Sequence, residues 1–202
     1  MQDDGMEKQR SSAPDGDGIS VCVSRRGFLG LAGGAAAGLA VQPATAFAAP
    51  KVSTGSRSLS FLNLHTGEKV AADFWSKGAL LPDGLAEISH VLRDHRTDEA
   101  WPIDPKLLDL LHRLRSRMES TAPFHVISGY RSPKTNAMLR QNSGGVAKRS
   151  YHMQGRAIDI RLPGMRLPDM RRAALGLRGG GVGYYPKSGF LHIDTGPVRQ
   201  WS

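Results

Sequence analysis

Residues 150–161, Ser-Tyr-His-Met-Gln-Gly-Arg-Ala-Ile-Asp-Ile-Arg, constrain this chain more than any other stretch. Gly155 breaks the backbone, and the alternation after it predicts a β-strand of period two. Ala157, Asp159 and Arg161 then face one side, and Ile158, Ile160 and Leu162 the other. A carboxylate turned away from the core points at a site or at solvent. A second such strand is predicted over residues 190–194, Phe-Leu-His-Ile-Asp, with His192 and Asp194 on one side and Leu191 and Ile193 on the other. If both strands share a sheet and bury their apolar sides, Asp159 and His192 meet on the open face. His152 precedes Asp159 by seven positions, just ahead of the glycine. Two histidines and one carboxylate with a fourth position open is how a catalytic zinc site is built.

The beginning of the chain reads differently. Ser24-Arg25-Arg26-Gly27-Phe28-Leu29 is a twin-arginine export motif, followed by a mild Gly- and Ala-rich apolar run over residues 28–41. That run is too short to span a bilayer, which takes roughly 20 apolar residues. Small residues at 44–49 offer two Ala-x-Ala cleavage sites. Residues 1–46 are therefore expected to be a twin-arginine signal peptide, 47–57 a flexible leader, and 58–202 the folded domain. The expected location is the periplasm, with no stable membrane insertion once the signal is removed.

Excluding residues 1–46 changes the chemistry on offer. The one cysteine, Cys22, leaves with the signal, so a transition-metal site must use His and carboxylate. Residues 47–202 keep 23 Lys and Arg against 13 Asp and Glu. Such a surface suits a polyanionic partner, and outside the cytoplasm an anionic wall polymer or lipid fits better than nucleic acid. No nucleic-acid-binding motif and no stacking series of aromatics is present.

The expected elements are mixed α+β. A hairpin is predicted over 58–75, turning at His65-Thr66-Gly67-Glu68. A helix follows over 83–95, then another starting with Asp104 as cap and Pro105 in first position, its stripe Leu107, Leu111, Leu114 and Met118. A short strand over 124–128 leads through Gly129-Tyr130-Arg131 to a third helix capped by Ser132. A fourth helix is expected over 168–177, closed by Gly179-Gly180-Gly181. These glycines lack the ending of a phosphate loop and are read as bringing the chain close to the site before Tyr184 and Tyr185. His90, His95 and His112 fall on predicted helices without a carboxylate at metal spacing and are read as packing or solvated residues, and His65, in the hairpin turn, is assigned no role.

Ser-Gly-Tyr-Arg-Ser-Pro-x-Thr-Asn from Ser128, Ser-Tyr-His-x-x-Gly-x-Ala-x-Asp from Ser150, Gly-Gly-Val-Gly-Tyr-Tyr-Pro from Gly180, and His-x-Asp-Thr-Gly-Pro-Val-Arg-x-Trp from His192 belong together. Their combination resembles the zinc peptidases that cut bacterial peptidoglycan, a group typified by lysostaphin, the D-Ala-D-Ala metallopeptidases and the hedgehog fold. Within it they resemble the twin-arginine-exported murein endopeptidase K branch. The resemblance implies a single hedgehog/D-Ala-D-Ala-metallopeptidase-type domain, an antiparallel sheet with helices on one side. It implies Zn2+ held by His152, Asp159 and His192, and hydrolysis of amide bonds in peptidoglycan cross-links during wall growth or remodelling. Arg131 would stabilise the oxyanion, a task fixed positive charge performs well.

The general base is where the chain departs from its relatives. The His that many carry two residues before the last ligand is Phe190 here, and the Glu of others is Gly189. Asp194 remains as base or as a carboxylate that orients a ligand, with His125 and Tyr184 as further candidates. A carboxypeptidase trimming terminal D-Ala, or a zinc-containing wall-binding module without turnover, stands as the alternative.

Overall fold

The computed structural model describes residues 55–202; the predicted signal and most of the predicted leader lie outside them. β1 (Arg57–Asn63) and β2 (Lys69–Ser76) form the predicted hairpin. Its turn closes on Asn63, whose carbonyl accepts from the Gly67 N–H and whose own N–H donates to Glu68 O, both at 2.9 Å. β3 (Ala79–Leu80) adds a short outer pairing on β2 that the sequence did not suggest.

α1 (Pro82–Val91) stops at Val91, short of the predicted end at His95. Asp94 is the reason. Its carboxylate, 2% exposed, accepts from the N–H of Arg96 at 3.0 Å and of Ser132 at 2.8 Å. Such side-chain bonds to nearby backbone compete with helix continuation. α2 (Pro105–Arg117) begins as expected, with Asp104 accepting from the Lys106 N–H at 2.9 Å. Its Leu107, Leu108, Leu111 and Leu114 are fully buried, each contributing roughly 1.5–3 kcal/mol of burial.

β4 (Phe124–Ser128), α3 (Pro133–Asn142) capped by Ser132, β5 (Ala157–Arg161), α4 (Leu167–Leu177), β6 (Gly181–Tyr185), β7 (Phe190–Asp194) and β8 (Arg199–Trp201) complete the order. The eight strands make one sheet, β3-β2-β1-β4-β5-β7-β6-β8. Pairings are antiparallel except β1 with β4 and β6 with β8, which are parallel. The sheet is thus mixed rather than antiparallel as expected, because β4 returns beside β1 after two helices and β8 crosses back past β7 to pair with β6.

The apolar sides of these strands, among them Phe61, Phe124, Ile158, Ile160, Leu191 and Ile193, share one core with Ile88 of α1, Leu111 of α2 and Met170 of α4. These three helices therefore cover one face. The other face of β4, β5, β7 and β6 is left open for polar side chains. β6 and β8 were not expected as strands, since the glycines at 179–183 read as loop. Gly183 explains the discrepancy: a Cβ there would meet the Trp201 indole at 2.7 Å. Among the described residues no helix is long and apolar enough to cross a membrane.

Candidate metal centre

β5 is flanked by β4 and β7, and the register sets Asp159 directly opposite His192 on one side and Ser128 on the other. The predicted meeting of the two strands on the open face is therefore what the sheet produces. His152 enters from a 3-10 turn, Tyr151–Gln154, whose first residue is preceded by Ser150 as cap and which Gly155 closes at φ 65°. A side chain at Gly155 would also run into Pro102 O at 2.2 Å. Positive φ and close backbone approach both select glycine there.

The segment Gly129–Arg131 and this turn hold each other. The Arg131 N–H donates to His152 O at 3.2 Å, while His152 Nδ1 lies 2.7 Å from Gly129 O. A carbonyl can only accept, so Nδ1 of His152 carries the proton and Nε2 presents a lone pair. His192 is oriented the other way round: Nε2 lies 3.1 Å from Asp194 Oδ2, leaving Nδ1 directed at Asp159 Oδ1, 2.8 Å away.

Three donors thus converge. His152 Nε2 is 3.2 Å from His192 Nδ1 and 3.4 Å from Asp159 Oδ2, and one ligand atom from each residue falls within 4.8 Å of the others. In a tetrahedral ion with bonds of about 2.0–2.1 Å, neighbouring donors sit roughly 3.3 Å apart. Two ring nitrogens and a carboxylate facing one another, each histidine committed elsewhere through its other nitrogen, suit a positive charge between them, a proton or a metal ion. This donor set fits a metal.

Among these side chains alone, a proton takes that place. Burial works against a charged His192, but its hydrogen bonds to Asp159 and Asp194 outweigh burial and raise it to about 9. Burial also opposes ionisation of Asp159, yet the two histidines hold its carboxyl well below the usual range. The His192 proton must leave before Nδ1 can ligate. The affinity for a metal ion is therefore expected to rise with pH, by roughly tenfold per unit for one displaced proton, and to level off above about 9. Calorimetric titration in buffers of different ionisation enthalpy measures the released proton; affinity independent of pH below that value would contradict the assignment.

The ligands open into a cavity of about 550 Å³. Arg131 stands on its wall, with Nη2 3.7 Å from Asp159 Oδ2 and 3.3 Å from Ser128 Oγ. Tyr185 and Phe190 stack at 4.7 Å across β6 and β7, and the Tyr185 hydroxyl accepts from Trp201 Nε1 at 2.9 Å. Asp194 does not face the cavity. It is 0% exposed and sits behind the His192 ring.

Comparison with known proteins now adds to this geometry. The family model described as "Peptidoglycan L,D-endopeptidase MepK" matches residues 51–201. The chain belongs to this family. The "Peptidoglycan L,D-endopeptidase MepK" of Escherichia coli K12 is 48% identical over 180 residues, which cover 89% of this chain and 97% of that one. The "Probable peptidoglycan L,D-endopeptidase MepK" of Haemophilus influenzae is 42% identical over 180 residues, 88% of this chain and 95% of its own. No solved structure matches.

For this member of the MepK family, the structure brings His152, Asp159, His192 and Arg131 together, with Asp194 one step behind. Neither His125 nor Tyr184 lines the cavity; Tyr184 lies on the helix side under the Arg171 guanidinium, at 4.9 Å. Sequence reasoning included Arg199 and Trp201 in a motif but gave neither a role. Their spacing of two on a short strand, five and seven residues beyond Asp194, was the available signal. His65 and His95, left without a role, stack on each other at 3.8 Å away from the site.

Proposed function

We propose that this chain hydrolyses amide bonds in the peptide cross-links of peptidoglycan, with zinc held by His152, Asp159 and His192. The observation that carries the reading is the convergence of two oriented imidazole nitrogens and one carboxylate at the base of an open cavity. The names of its relatives, peptidoglycan L,D-endopeptidases, supply the substrate class. Zinc in a three-ligand site supplies Lewis acidity and acidifies water. The remaining work falls to the chain. His152 and His192 hold their metal-facing nitrogens in place by donating from the opposite ring atoms, to Gly129 O and to Asp194, and His192 would give up its Nδ1 proton in favour of the metal. Arg131 keeps a guanidinium, its side chain only 12% exposed, at the cavity wall, where developing negative charge on the scissile carbonyl oxygen is stabilised most in low dielectric. Tyr185, Phe190 and Trp201 wall the cavity.

Digestion of purified sacculi by the zinc-loaded protein, with products separated and weighed, tests this directly. Release of cleaved cross-link muropeptides is expected; sacculi that bind the protein yet release nothing would contradict it, and loss of terminal D-Ala alone would mark a carboxypeptidase.

Asp194 is assigned here the task of orienting His192 rather than of taking a proton from water, because its carboxylate lies behind the ring. Asp194→Asn should then weaken zinc binding by roughly 10–100-fold, the usual cost of losing such a partner. Cleavage at saturating zinc should stay near that of the parent; a drop of about 10²–10⁴ in turnover with zinc retained would instead mark a general base.

Residues 1–46 are proposed to direct export through the twin-arginine pathway to the periplasm, where the substrate lies. Changing Arg25 and Arg26 to Lys should leave precursor in the cytoplasm, which fractionation and immunoblotting detect; normal processing would remove this assignment.

A further inference from the structure

We propose that Arg199, on the last strand of the chain, is a positioning residue of the metal centre: its two-point clamp on Asp194 fixes the carboxylate that holds His192 with Nδ1 as the free donor. The inference rests on the metal-holding role proposed above for His192.

A carboxylate offers about four lone-pair positions on two oxygens, and five donors crowd those of Asp194. Oδ1 accepts from the N–H of Gly181 at 3.2 Å, the N–H of Gly196 at 2.8 Å and Arg199 Nη1 at 3.0 Å. Oδ2 accepts from Arg199 Nη2 at 2.7 Å and from His192 Nε2 at 3.1 Å. The Arg199 fork therefore sets the plane of the carboxylate, and one direction remains for the imidazole N–H. Among the described residues, Arg199 is also the only Arg or Lys paired with Asp194. A buried carboxylate stripped of its cation is costly to keep in place.

The clamp itself is held on both sides. The guanidinium carbon lies 4.8 Å from the Trp201 ring centre and 5.5 Å from that of Tyr151. β6 makes room for the pair through Gly181, where a Cβ would meet Arg199 Nη1 and Asp194 Oδ2, each at 2.5 Å. β8 is in turn fixed by its parallel pairing on β6. Lysine at 199 would restore a charge but not the planar fork.

The experiment measures zinc affinity of the full chain by competition with a chromophoric chelator, together with the visible spectrum of the cobalt-loaded protein. Arg199→Ala is expected to weaken zinc binding by about 10–100-fold and to shift the cobalt bands, as a displaced His192 donor changes the ligand field. Because Arg199 acts through Asp194, combining Arg199→Ala with Asp194→Asn should cost no more than Asp194→Asn alone. Arg199→Lys, which keeps the charge, should fall between parent and Arg199→Ala; it decides the matter by the same assay if the alanine variant does not fold. Zinc affinity equal to the parent's in a folded Arg199 variant, or losses that add in the double variant, would overturn the inference and leave the metal reading standing. A parent chain that binds no zinc would overturn both.

Discussion

Alanine in place of His152, Asp159 or His192 is expected to strip the protein of zinc and with it cross-link cleavage. The loss should reach at least about 10³ in turnover, corresponding to the several kcal/mol of transition-state stabilisation a catalytic metal contributes. The three changes should not be equal in kind. Asp159 brings the one carboxylate to the donor set and lies beside Arg131, so its removal leaves two imidazoles and a guanidinium with no anion among them. His152→Ala also releases the Gly129 carbonyl that steadies the loop bearing Arg131. Elemental analysis beside sacculus digestion checks each variant. A His192→Ala protein with stoichiometric zinc would take β7 out of the site.

Arg131→Ala is the second large effect expected, and of a different character. Zinc should stay bound, because the guanidinium is not a ligand, while turnover falls by about 10²–10³, the usual worth of one oxyanion donor. The KM for soluble cross-linked muropeptides should change much less than kcat, since the interaction forms with the transition state rather than the ground state. Arg131→Lys should recover part of the rate by supplying charge without the fork. A variant that lost zinc instead would show that Arg131 serves the centre through Asp159.

The site was more legible in the sequence than the sheet that carries it. Period-two alternation around Asp159 and His192 was enough to predict that both face away from the core, and the observed register puts them opposite each other. Asp104-Pro105 announced α2 because capping is a local property. What escaped was non-local. The early end of α1 depends on Asp94 reaching the Ser132 N–H, 38 positions away. β6 looked like loop because its glycines are chosen by the Trp201 ring pressed against them, and nothing in residues 179–183 says so. Whether Asp194 faces water or the back of an imidazole likewise depends on Arg199 folding over it. Local pattern reveals which way a side chain points; it does not reveal what comes to cover it.

The order in which the centre's parts occur along the chain has a consequence for when it can exist. The outer strands β1 to β3 and helices α1 and α2 come from residues before 118, whereas every donor and every group that orients one lies from Gly129 onward. His192 is made 40 positions after His152, and Asp194 and Arg199 follow it. During synthesis, which proceeds from the N-terminus at roughly 5–20 residues per second, the early elements can collapse while the donors are still inside the ribosome. No nascent chain that stops short of residue 192 presents a complete ligand set. The proposed ion is therefore expected to be acquired only once residue 192 has been made, and a chain truncated before it is expected to hydrolyse no cross-links.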